Sequence, residues 1–325
     1  MWTALAAGSA LAFVIGSMVY VCQFRGASRY TSVTEYLRKS WPVFAPLNCL
    51  LYLFTHPRGR KPIPSVEEFP ELAPIREQWQ AIRDEAIRLH EQRQFELTVR
   101  PDSPAHYDIG FRTFFKHGWS KFYLKWYGYT YASARTLCPD TVAIIEGIPS
   151  VNAAMFSLLP PGAQLTRHAD PMACSLRYHL GLATPNSDNC FINVDGVAYS
   201  WRDGTAFMFD ETYPHFARND SDQYRLILMC DIDRPLRLPG RIVNFFYKQL
   251  AKLLTVPNTE GDRRGLGNVL FATLAPVAGR VKKLKYTNRP LYLCIKYAVN
   301  LTVIALLLLF ATAVLQVLFR FAALI

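Results

Sequence analysis

The sequence predicts a mainly β core, built as a small barrel, with flanking helices and one transmembrane helix at each end. Short strand-like runs between residues 175 and 209 are separated by turn signals, among them Asp195-Gly196 and Asp203-Gly204. Such Asp-Gly pairs favour hairpins, so the runs predict a small β barrel. Uncharged stretches at residues 2–22 and 297–319 are each long enough to cross a bilayer, for which about 20 apolar residues suffice.

The two uncharged ends are interpreted as retained membrane anchors. The hydrophobic content of 51% is high for a soluble protein, and the excess is concentrated in these ends. A signal peptide is the alternative at the N terminus, but it should begin with a positive segment, and no Lys or Arg precedes Arg25. Basic residues follow the first end and precede the second, which places the middle of the chain in the cytoplasm under the positive-inside rule. Arg320, after the second end, does not fit this pattern.

Two segments before residue 100 predict helices. Residues 41–54 are apolar but too short to span a membrane and contain Pro42 and Pro46. They predict an interfacial or re-entrant helix, or a buried segment packed on the domain. Residues 71–92 carry apolar side chains at alternating steps of three and four, the pattern of an amphipathic helix that packs on the β core. Pro74 fits this helix only within its first turn.

Segments on either side of the barrel predict further helices and one loop. Residues 133–146 predict a helix that Pro139 interrupts and that ends before Gly147. Residues 236–254 mix apolar and basic side chains, which suits a helix on an anionic membrane surface or, alternatively, a packed surface helix. Residues 256–267 predict a polar loop.

Charge and cysteine content restrict the partner and the compartment. The formal net charge is +11, which favours an anionic partner. No basic-aromatic motif or nucleic-acid-binding module is recognisable, so acidic membrane lipid or a bisphosphorylated glycolipid head group explains the charge better than nucleic acid. The positive-inside bias alone accounts for part of the excess. Seven Cys residues without a C-x-x-C pair predict neither disulfides nor a zinc site, and indicate a reduced compartment.

A His-x-Asp pair and a distant His are candidate metal ligands. His168 and Asp170 end one predicted strand, and His215 follows beyond the barrel strands. His-x-Asp alone is more often a capping or surface pair, but ligands at strand ends would meet in one barrel mouth. Two imidazoles and one carboxylate form the facial triad of non-haem Fe(II) oxygenases. Arg225, on an alternating strand, can bind a carboxylate through two parallel hydrogen bonds, which indicates a dicarboxylate co-substrate such as 2-oxoglutarate.

Motifs between residues 150 and 235 resemble those of the aspartyl/asparaginyl β-hydroxylase family of 2-oxoglutarate oxygenases. The resemblance rests on Leu176-Arg177-Tyr178-His179-Leu180-Gly181-Leu182, Trp201-Arg202-Asp203-Gly204, Phe209-Asp210-Glu211, His215 and Asp231-Ile232-Asp233-Arg234-Pro235. The chain is more similar still to one branch, the bacterial lipid A hydroxylases that add a 2-hydroxyl group to a secondary acyl chain. That similarity adds Phe122-Tyr123-Leu124-Lys125-Trp126-Tyr127, Ile148-Pro149-Ser150-Val151 and Leu180-Gly181-Leu182-Ala183-Thr184-Pro185-Asn186.

The resemblance implies a double-stranded β-helix of the jelly-roll or cupin type, with iron ligands at His168 and His215. It also implies a 2-oxoglutarate site of four residues: Ser157 and Arg225 at the distal carboxylate, and Arg177 and His179 near the other end. Peptide-hydroxylating members have Gly where this chain has Asp170. This difference favours a complete triad of His168, Asp170 and His215 and weakens the transfer of a peptide substrate.

Other residues near these motifs have open interpretations. Asp210 and Glu211 either orient His215 or are plain polar groups at a strand end. Trp201 is interpreted as a core aromatic rather than a wall of the substrate site. Arg177 lies on an apolar strand, where an unpaired charge is costly, and His179 lies on the same strand face, which indicates a shared anion.

The sequence therefore predicts a membrane-anchored dioxygenase that uses Fe(II), 2-oxoglutarate and O2 to hydroxylate lipid A or a lipopolysaccharide precursor. Five regions are predicted: an N-terminal transmembrane helix (1–23), a basic juxtamembrane and helical region (24–98), the oxygenase domain (99–235), a basic, partly interfacial region (236–296) and a C-terminal transmembrane helix (297–319). The location is the bacterial inner membrane, with the catalytic domain on the cytoplasmic side. Alternatives are a hydroxylase of another membrane lipid or of peptide Asp/Asn side chains, and a non-enzymatic barrel that binds anionic lipid. No nucleic acid is expected, and the sequence identifies no protein partner.

Overall fold

The computed structural model describes residues 2–108, 110–111, 118–302 and 305. The chain divides into two compact units, Met1–Asn268 and Val269–Ile325. The described strands all belong to the first unit. In the second unit the described residues are almost entirely helical.

Ten strands form two antiparallel sheets. The strands are β1 (Ser120–Trp126), β2 (Tyr129–Thr130), β3 (Val151–Leu159), β4 (Gln164–His168), β5 (Ser175–Ala183), β6 (Cys190–Val194), β7 (Val197–Ser200), β8 (Ala206–Phe209), β9 (His215–Asn219) and β10 (Arg225–Asp233). The larger sheet has the order β2-β1-β3-β10-β5-β8, and the smaller has the order β4-β9-β6-β7. Side chains of both sheets belong to one hydrophobic core, which confirms the mainly β core.

Helices precede and follow the sheets. They are α1 (Trp2–Val19), α2 (Val33–Lys39), α3 (Ala45–Phe54), α4 (Ala73–Glu77), α5 (Trp79–Glu91), α6 (Gln94–Val99), α7 (Ala132–Leu137), α8 (Pro139–Glu146), α9 (Leu238–Lys252) and α10 (Leu266–Thr287). A π-helical turn, Tyr20–Phe24, continues α1. Residues 289–302 are also helical.

The amphipathic helix expected at residues 71–92 is present but divided. It breaks at Gln78 into α4 and α5, and Pro74 lies in the first turn of α4, where its missing N–H is tolerated. Its apolar face packs against the β core, with Ile82 and Leu89 fully buried and Trp79 partly buried. The predicted packing role of this segment is therefore confirmed.

Prolines also set the ends of two other predicted helices. Pro139 divides residues 133–146 into α7 and α8, with Cys138 as the junction. In residues 41–54, Pro42 begins a single 3-10 turn and the regular helix starts only at Ala45. Proline suits first-turn positions because its fixed φ matches a helix and it has no N–H to lose.

The two Asp-Gly pairs have different roles. Asp195 and Gly196 have φ angles of 53° and 95° and join the paired strands β6 and β7, as expected for a hairpin. The hairpin expected at Asp203-Gly204 is wrong, because β7 and β8 lie in different sheets. Gly204 has a φ of 70° there, and its turn carries the chain from one sheet to the other.

The polar loop at residues 256–267 packs onto the sheet instead of lying in solvent. Asn258 is buried and bonds both the N–H and the carbonyl oxygen of Tyr123, each at 2.8 Å. Asp262 is also buried and accepts hydrogen bonds from the N–H and hydroxyl of Ser133. These contacts tie the loop to β1 and α7.

None of the helices in the described part of the chain is long and apolar enough to cross a membrane. The predicted N-terminal span corresponds to α1 and the π-helical turn, and its role as a span is not confirmed. Of the predicted C-terminal span at residues 297–319, residues 303–304 and 306–319 lie outside the described residues.

Candidate active site

The His-x-Asp pair and the distant His meet where β4 pairs with β9. His168 is the last residue of β4 and lies directly opposite His215, the first residue of β9. Their ring centroids are 4.3 Å apart, and Asp170 Oδ1 lies 3.5 Å from His168 Nε2. One donor atom from each of the three residues lies within 4.8 Å of the other two, a spacing that a single metal ion can bridge.

Backbone carbonyls orient both imidazoles in the same way. The Nδ1 atom of His168 lies 2.9 Å from the carbonyl oxygen of Thr166, and that of His215 lies 3.0 Å from the carbonyl oxygen of Tyr213. Because a carbonyl only accepts, each Nδ1 carries the proton and each Nε2 keeps a free lone pair. Burial lowers the pKa of each imidazole to about 4, and for His168 the neighbouring His215 lowers it further, so both rings are neutral at pH 7. Neutral imidazole is the form that binds metal.

The backbone that carries Asp170 is held in place by other elements. The N–H of Asp170 donates to the carbonyl oxygen of Glu211 at 2.8 Å. The N–H of Ala169 donates to the carbonyl oxygen of Lys39, and Asn48 of α3 binds the backbone of the following residues through its amide. The helices before the barrel therefore fix the loop that presents the third donor.

Arg177 lies beside the triad and binds three carboxylates. Its guanidinium contacts Asp170 Oδ2 at 3.2 Å, Glu211 Oε2 at 2.6 Å and Asp231 Oδ1 at 2.8 Å. Asp231 lies directly opposite Arg177 on β10, which explains how a charged pair fits into two buried strands. The guanidinium that was expected near 2-oxoglutarate thus already has acidic partners, and its contact with Asp170 orients a triad residue.

This cluster of Arg177 and its carboxylates contains more acidic than basic groups. One guanidinium faces three carboxylates, so full ionisation would leave two uncompensated negative charges in a buried site. Burial raises the pKa of Glu211 to about 8, with Asp231 and Asp170 adding to the rise, and burial likewise raises the pKa of Asp231. A divalent cation bound by the triad would neutralise the excess, so the donor set and the local charge both fit Fe(II).

Arg225 shows the opposite imbalance. Its side chain is completely buried, and the hydrogen bond that it makes within the described residues joins Nη2 to Ser157 Oγ at 3.2 Å. Nε and Nη1 have no hydrogen-bond partner among the described residues. The guanidinium lies over the rings of Trp201 and Trp119, 4.5 and 5.0 Å from their centroids. Burial lowers its pKa to about 10, which is what a buried cation without a counter-ion undergoes.

His179 presents a second free donor. Trp201 Nε1 lies 3.3 Å from His179 Nδ1, and since an indole N–H only donates, Nδ1 must accept and the proton sits on Nε2. Within the described ranges that Nε2–H has no hydrogen-bond partner, although the residue is buried. Trp201 is a core aromatic as predicted, with 1% of its surface exposed, and it also orients His179.

Arg177, His179 and Arg225 lie one after another along one face of the larger sheet. Register places Arg177 opposite Asp231 and His179 opposite Met229, while Arg225 lies further along the same face of β10. With about 3.3 Å of rise per residue, His179 lies about 7 Å along β5 from Arg177. The face therefore leads from the triad, past a neutral donor, to an unpaired cation, which is the pattern that a short linear diacid would match.

Asp210 does not orient His215. It binds Nη2 of Arg25 and Nη2 of Arg234, both at 2.8 Å, and it accepts from the backbone and hydroxyl of Thr212. Arg25 had been counted among the membrane-flanking basic residues, yet it is buried in this ion-pair cluster. Neither pairing has a signal in the local sequence.

The role of Asp231 was missed from sequence, although one signal was available. An acidic side chain in the apolar run of β10 needs a buried cation, by the same reasoning that singled out Arg177 on β5. Two lone opposite charges on apolar strands predict each other as partners.

Comparison with known proteins gives consistent results. Residues 76–235 match the family model described as aspartyl/asparaginyl beta-hydroxylase. An ornithine lipid ester-linked acyl 2-hydroxylase from Rhizobium tropici is 35% identical over 197 residues, which are 59% of this chain and 68% of that protein. The human aspartyl/asparaginyl beta-hydroxylase is 26% identical over 166 residues, 50% of this chain but only 21% of that protein. A Pseudomonas putida prolyl-4-hydroxylase structure is 17% identical with a TM-score of 0.33, and the match covers 49% of this chain and 87% of that chain.

Proposed function

Because the chain belongs to the aspartyl/asparaginyl β-hydroxylase family, we propose that it is an Fe(II)- and 2-oxoglutarate-dependent dioxygenase that adds a 2-hydroxyl group to a secondary acyl chain of lipid A. The observation that carries the proposal is a His-Asp-His triad together with the buried guanidinium of Arg225, which has no counter-ion among the described residues and lies along the sheet face that begins beside the triad. Each half fits one component, the metal or the keto acid, and the two halves together fit this reaction class.

His168, Asp170 and His215 would hold the iron. Bound there with 2-oxoglutarate and O2, the metal supplies the oxidising power needed to hydroxylate an unactivated C–H bond. The backbone carbonyls of Thr166 and Tyr213 keep both Nε2 atoms free for ligation. Three donors leave room in the coordination sphere for further ligands.

Arg225 and Ser157 would bind the distal carboxylate of 2-oxoglutarate. The carboxylate would provide the counter-ion that the guanidinium lacks and acceptors for its Nε–H and Nη1–H. The Nε2–H of His179 would donate to an oxygen of the same molecule closer to the metal. Burial of all three residues excludes water, which strengthens each charge-assisted contact and protects the reacting groups.

A lipid substrate is supported by the R. tropici relative, which is an ornithine lipid ester-linked acyl 2-hydroxylase. Exposed apolar side chains on α3 and α9 add support, with Leu53, Phe245 and Phe246 each more than half exposed. Hydroxylation of another membrane lipid is the second candidate, because that relative's lipid carries a different head group from lipid A. A peptide substrate is a further candidate because the human relative is an aspartyl/asparaginyl beta-hydroxylase, although its identity to this chain is lower.

Attachment to the inner membrane, with the active site on the cytoplasmic side, is part of the proposal. Positive charge around both ends supports this orientation. The apolar faces of α3 and α9, which lie side by side, support contact with a bilayer. Four buried free cysteines are consistent with a reduced compartment.

Mass spectrometry of lipids from a Gram-negative host that lacks such a hydroxylase tests the proposal. The host would express the parent chain, His168→Ala or, as a matched control, His56→Ala, which removes an exposed His away from the triad. We expect one added oxygen on a secondary acyl chain of lipid A with the parent and with His56→Ala, and none with His168→Ala. Added oxygen on ornithine lipid or phospholipid instead would replace lipid A by the second candidate. No lipid modification, with the protein folded in the membrane fraction, would refute a lipid substrate.

A further inference from the structure

A cavity of about 540 Å³ lies apart from the triad, between α1, α3 and the loop that joins β8 to β9. None of its lining residues is a triad residue or one of the residues assigned to 2-oxoglutarate. It is nevertheless close to the metal site. Tyr213, which lines the cavity, supplies the carbonyl oxygen that orients His215 at 3.0 Å.

The polar part of the cavity is positively charged. Arg25, Arg60 and Arg234 line it, and Asp210 is the one carboxylate among the lining residues. Asp210 binds both Arg25 and Arg234, so three guanidinium groups against one carboxylate leave two positive charges. A cavity with this surplus favours an anion.

One N–H group of a buried guanidinium at the cavity lacks an acceptor among the described residues. Arg234 is 3% exposed and donates to Gly59, Ser175 and Asp210, yet its Nε–H has no hydrogen-bond partner in the part of the chain that the structure describes. Arg25 donates to the carbonyl oxygen of Thr212 and to Asp210, and its guanidinium lies over the rings of Tyr52 and Tyr213. Arg60 is exposed at the cavity, and its hydrogen bond within the described residues runs from Nε–H to the carbonyl oxygen of Thr55. Arg234 and Arg60 therefore keep N–H groups for a ligand.

The opposite side of the cavity is apolar and belongs to the surface that faces outward. Phe13 of α1 and Leu53 of α3 line it, and these residues are 44% and 65% exposed. A ligand that satisfies both sides has an anionic group and hydrocarbon chains, which is the composition of an anionic membrane lipid.

We propose that this cavity binds the anionic head group of the lipid whose acyl chain is hydroxylated, with its phosphate or carboxylate on Arg60 and Arg234 and its chains along Phe13 and Leu53. The inference rests on the proposed lipid substrate and adds the site that selects it. It gives α1 a role in recognition, because this helix supplies one wall of the site.

Two glycines of α1 provide a matched test. A Cβ added at Gly16 or at Gly8 would meet no atom within 4 Å, so both positions accept a larger side chain without a clash. Only Gly16 lines the cavity, so Gly16→Leu fills it while Gly8→Leu adds the same side chain to the same helix elsewhere. Arg60→Gln and, as its control, Arg58→Gln remove one charge inside and one outside the cavity.

Binding is measured first, with full-length protein in neutral detergent. The probes are short-chain phosphatidic acid, a short-chain lipid with a carboxylate head group and the matching neutral diacylglycerol, titrated by calorimetry. We expect at least tenfold tighter binding of one anionic probe than of diacylglycerol, at least tenfold weaker binding of that probe in Gly16→Leu and Arg60→Gln, and parent-like binding in both controls. Which anionic probe binds more tightly identifies the head-group chemistry.

Equal binding of neutral and anionic probes, or equal effects of Gly16→Leu and Gly8→Leu, would overturn the site. The affinity for 2-oxoglutarate, measured on the same four variants, should stay within twofold of the parent. This readout separates the two proposals, because loss of lipid hydroxylation with intact probe binding refutes the proposed reaction and leaves the site standing. Intact lipid hydroxylation with no selectivity among the probes would refute the head-group site and leave the proposed reaction standing.

Discussion

Replacing Arg225 with Met should abolish 2-oxoglutarate binding without destabilising the ligand-free protein. Loss of a fully buried side chain usually costs stability, so this outcome distinguishes a ligand-binding cation from a structural one. The reason is that Arg225 is buried with one hydrogen bond among the described residues, while its Nε and Nη1 atoms have no hydrogen-bond partner there. Met has a similar volume, although its side chain is shorter, and it has no charge to desolvate.

The expected magnitude follows from the pKa. Burial lowers the pKa of Arg225 from 12.5 to about 10. A lowered pKa means that folding disfavours the charged form at every pH below about 10, and at about 1.4 kcal/mol per unit the cost at neutral pH is about 3 kcal/mol. The hydrogen bond to Ser157 offsets about 1 kcal/mol. The contacts with the rings of Trp201 and Trp119 offset about 1 to 2 kcal/mol. The net change in the free energy of unfolding should therefore lie between zero and a gain of about 1 kcal/mol.

Unfolding by denaturant, with and without 2-oxoglutarate, measures both effects. At a ligand concentration one hundred times its Kd, the parent should gain about 2.7 kcal/mol and Arg225→Met should gain nothing. Arg218→Met is the matched control, because the Arg218 side chain is half exposed and pairs only at 3.8 Å with Asp220. The control should keep the parent's stability and its response to ligand. A loss of more than about 2 kcal/mol in ligand-free Arg225→Met, or a retained response to 2-oxoglutarate, would refute the assignment.

Three further predictions concern charge pairs and thiols. Arg177→Met should lower the free energy of unfolding by about 3 to 5 kcal/mol, the opposite effect from Arg225→Met, because it leaves buried carboxylates without their cation. It should also weaken Co(II) binding at least tenfold in a spectroscopic titration. Unchanged stability would contradict the ion-pair geometry. Although burial raises the pKa of Asp210, Arg234 and Arg25 outweigh it and hold that pKa below its ordinary value of 3.8. The stabilisation is therefore present at neutral pH and is lost as the pH falls below 3.8, and Asp210→Asn should flatten this part of the stability profile in metal-free thermal unfolding; an unchanged profile would argue against the cluster. Iodoacetamide followed by peptide mass spectrometry should label Cys294, the exposed thiol, before the four buried ones, and fast labelling of any buried thiol in the native protein would contradict the packing.

Much of the fold was accessible from local pattern. Strand-like runs and turn signals placed barrel strands between residues 175 and 209, where β5 to β8 lie, and the steps of three and four along residues 71–92 identified the face that packs on the core. These features depend on spacing along the chain, which the sequence states directly. The Asp203-Gly204 turn was misjudged because the same dipeptide serves a hairpin within one sheet and a crossing between two.

The candidate site divides in the same way. Residue type and order were sufficient to name His168, Asp170 and His215 as candidate metal ligands, and the structure brings their donor atoms within 4.8 Å of one another. Sequence also placed Arg225 on a strand, but it could not tell whether that charge was compensated. It placed Arg225 at the distal carboxylate of 2-oxoglutarate and Arg177 near the other end, although Arg177 binds three carboxylates and Arg225 has no acidic partner among the described residues.

The sequence by itself therefore determined which chemical groups the protein contains and in what order they occur along the chain. Only the tertiary structure decided which charges are paired, because pairing joins residues far apart in the chain, as in Arg25 with Asp210 or Arg177 with Asp231. Burial increases the energetic difference between a paired and an unpaired charge, since a charge that costs no stability in water becomes costly when it is enclosed without a partner. The free energy left uncompensated at Arg225 is what a ligand can supply, and it exists only in the folded chain.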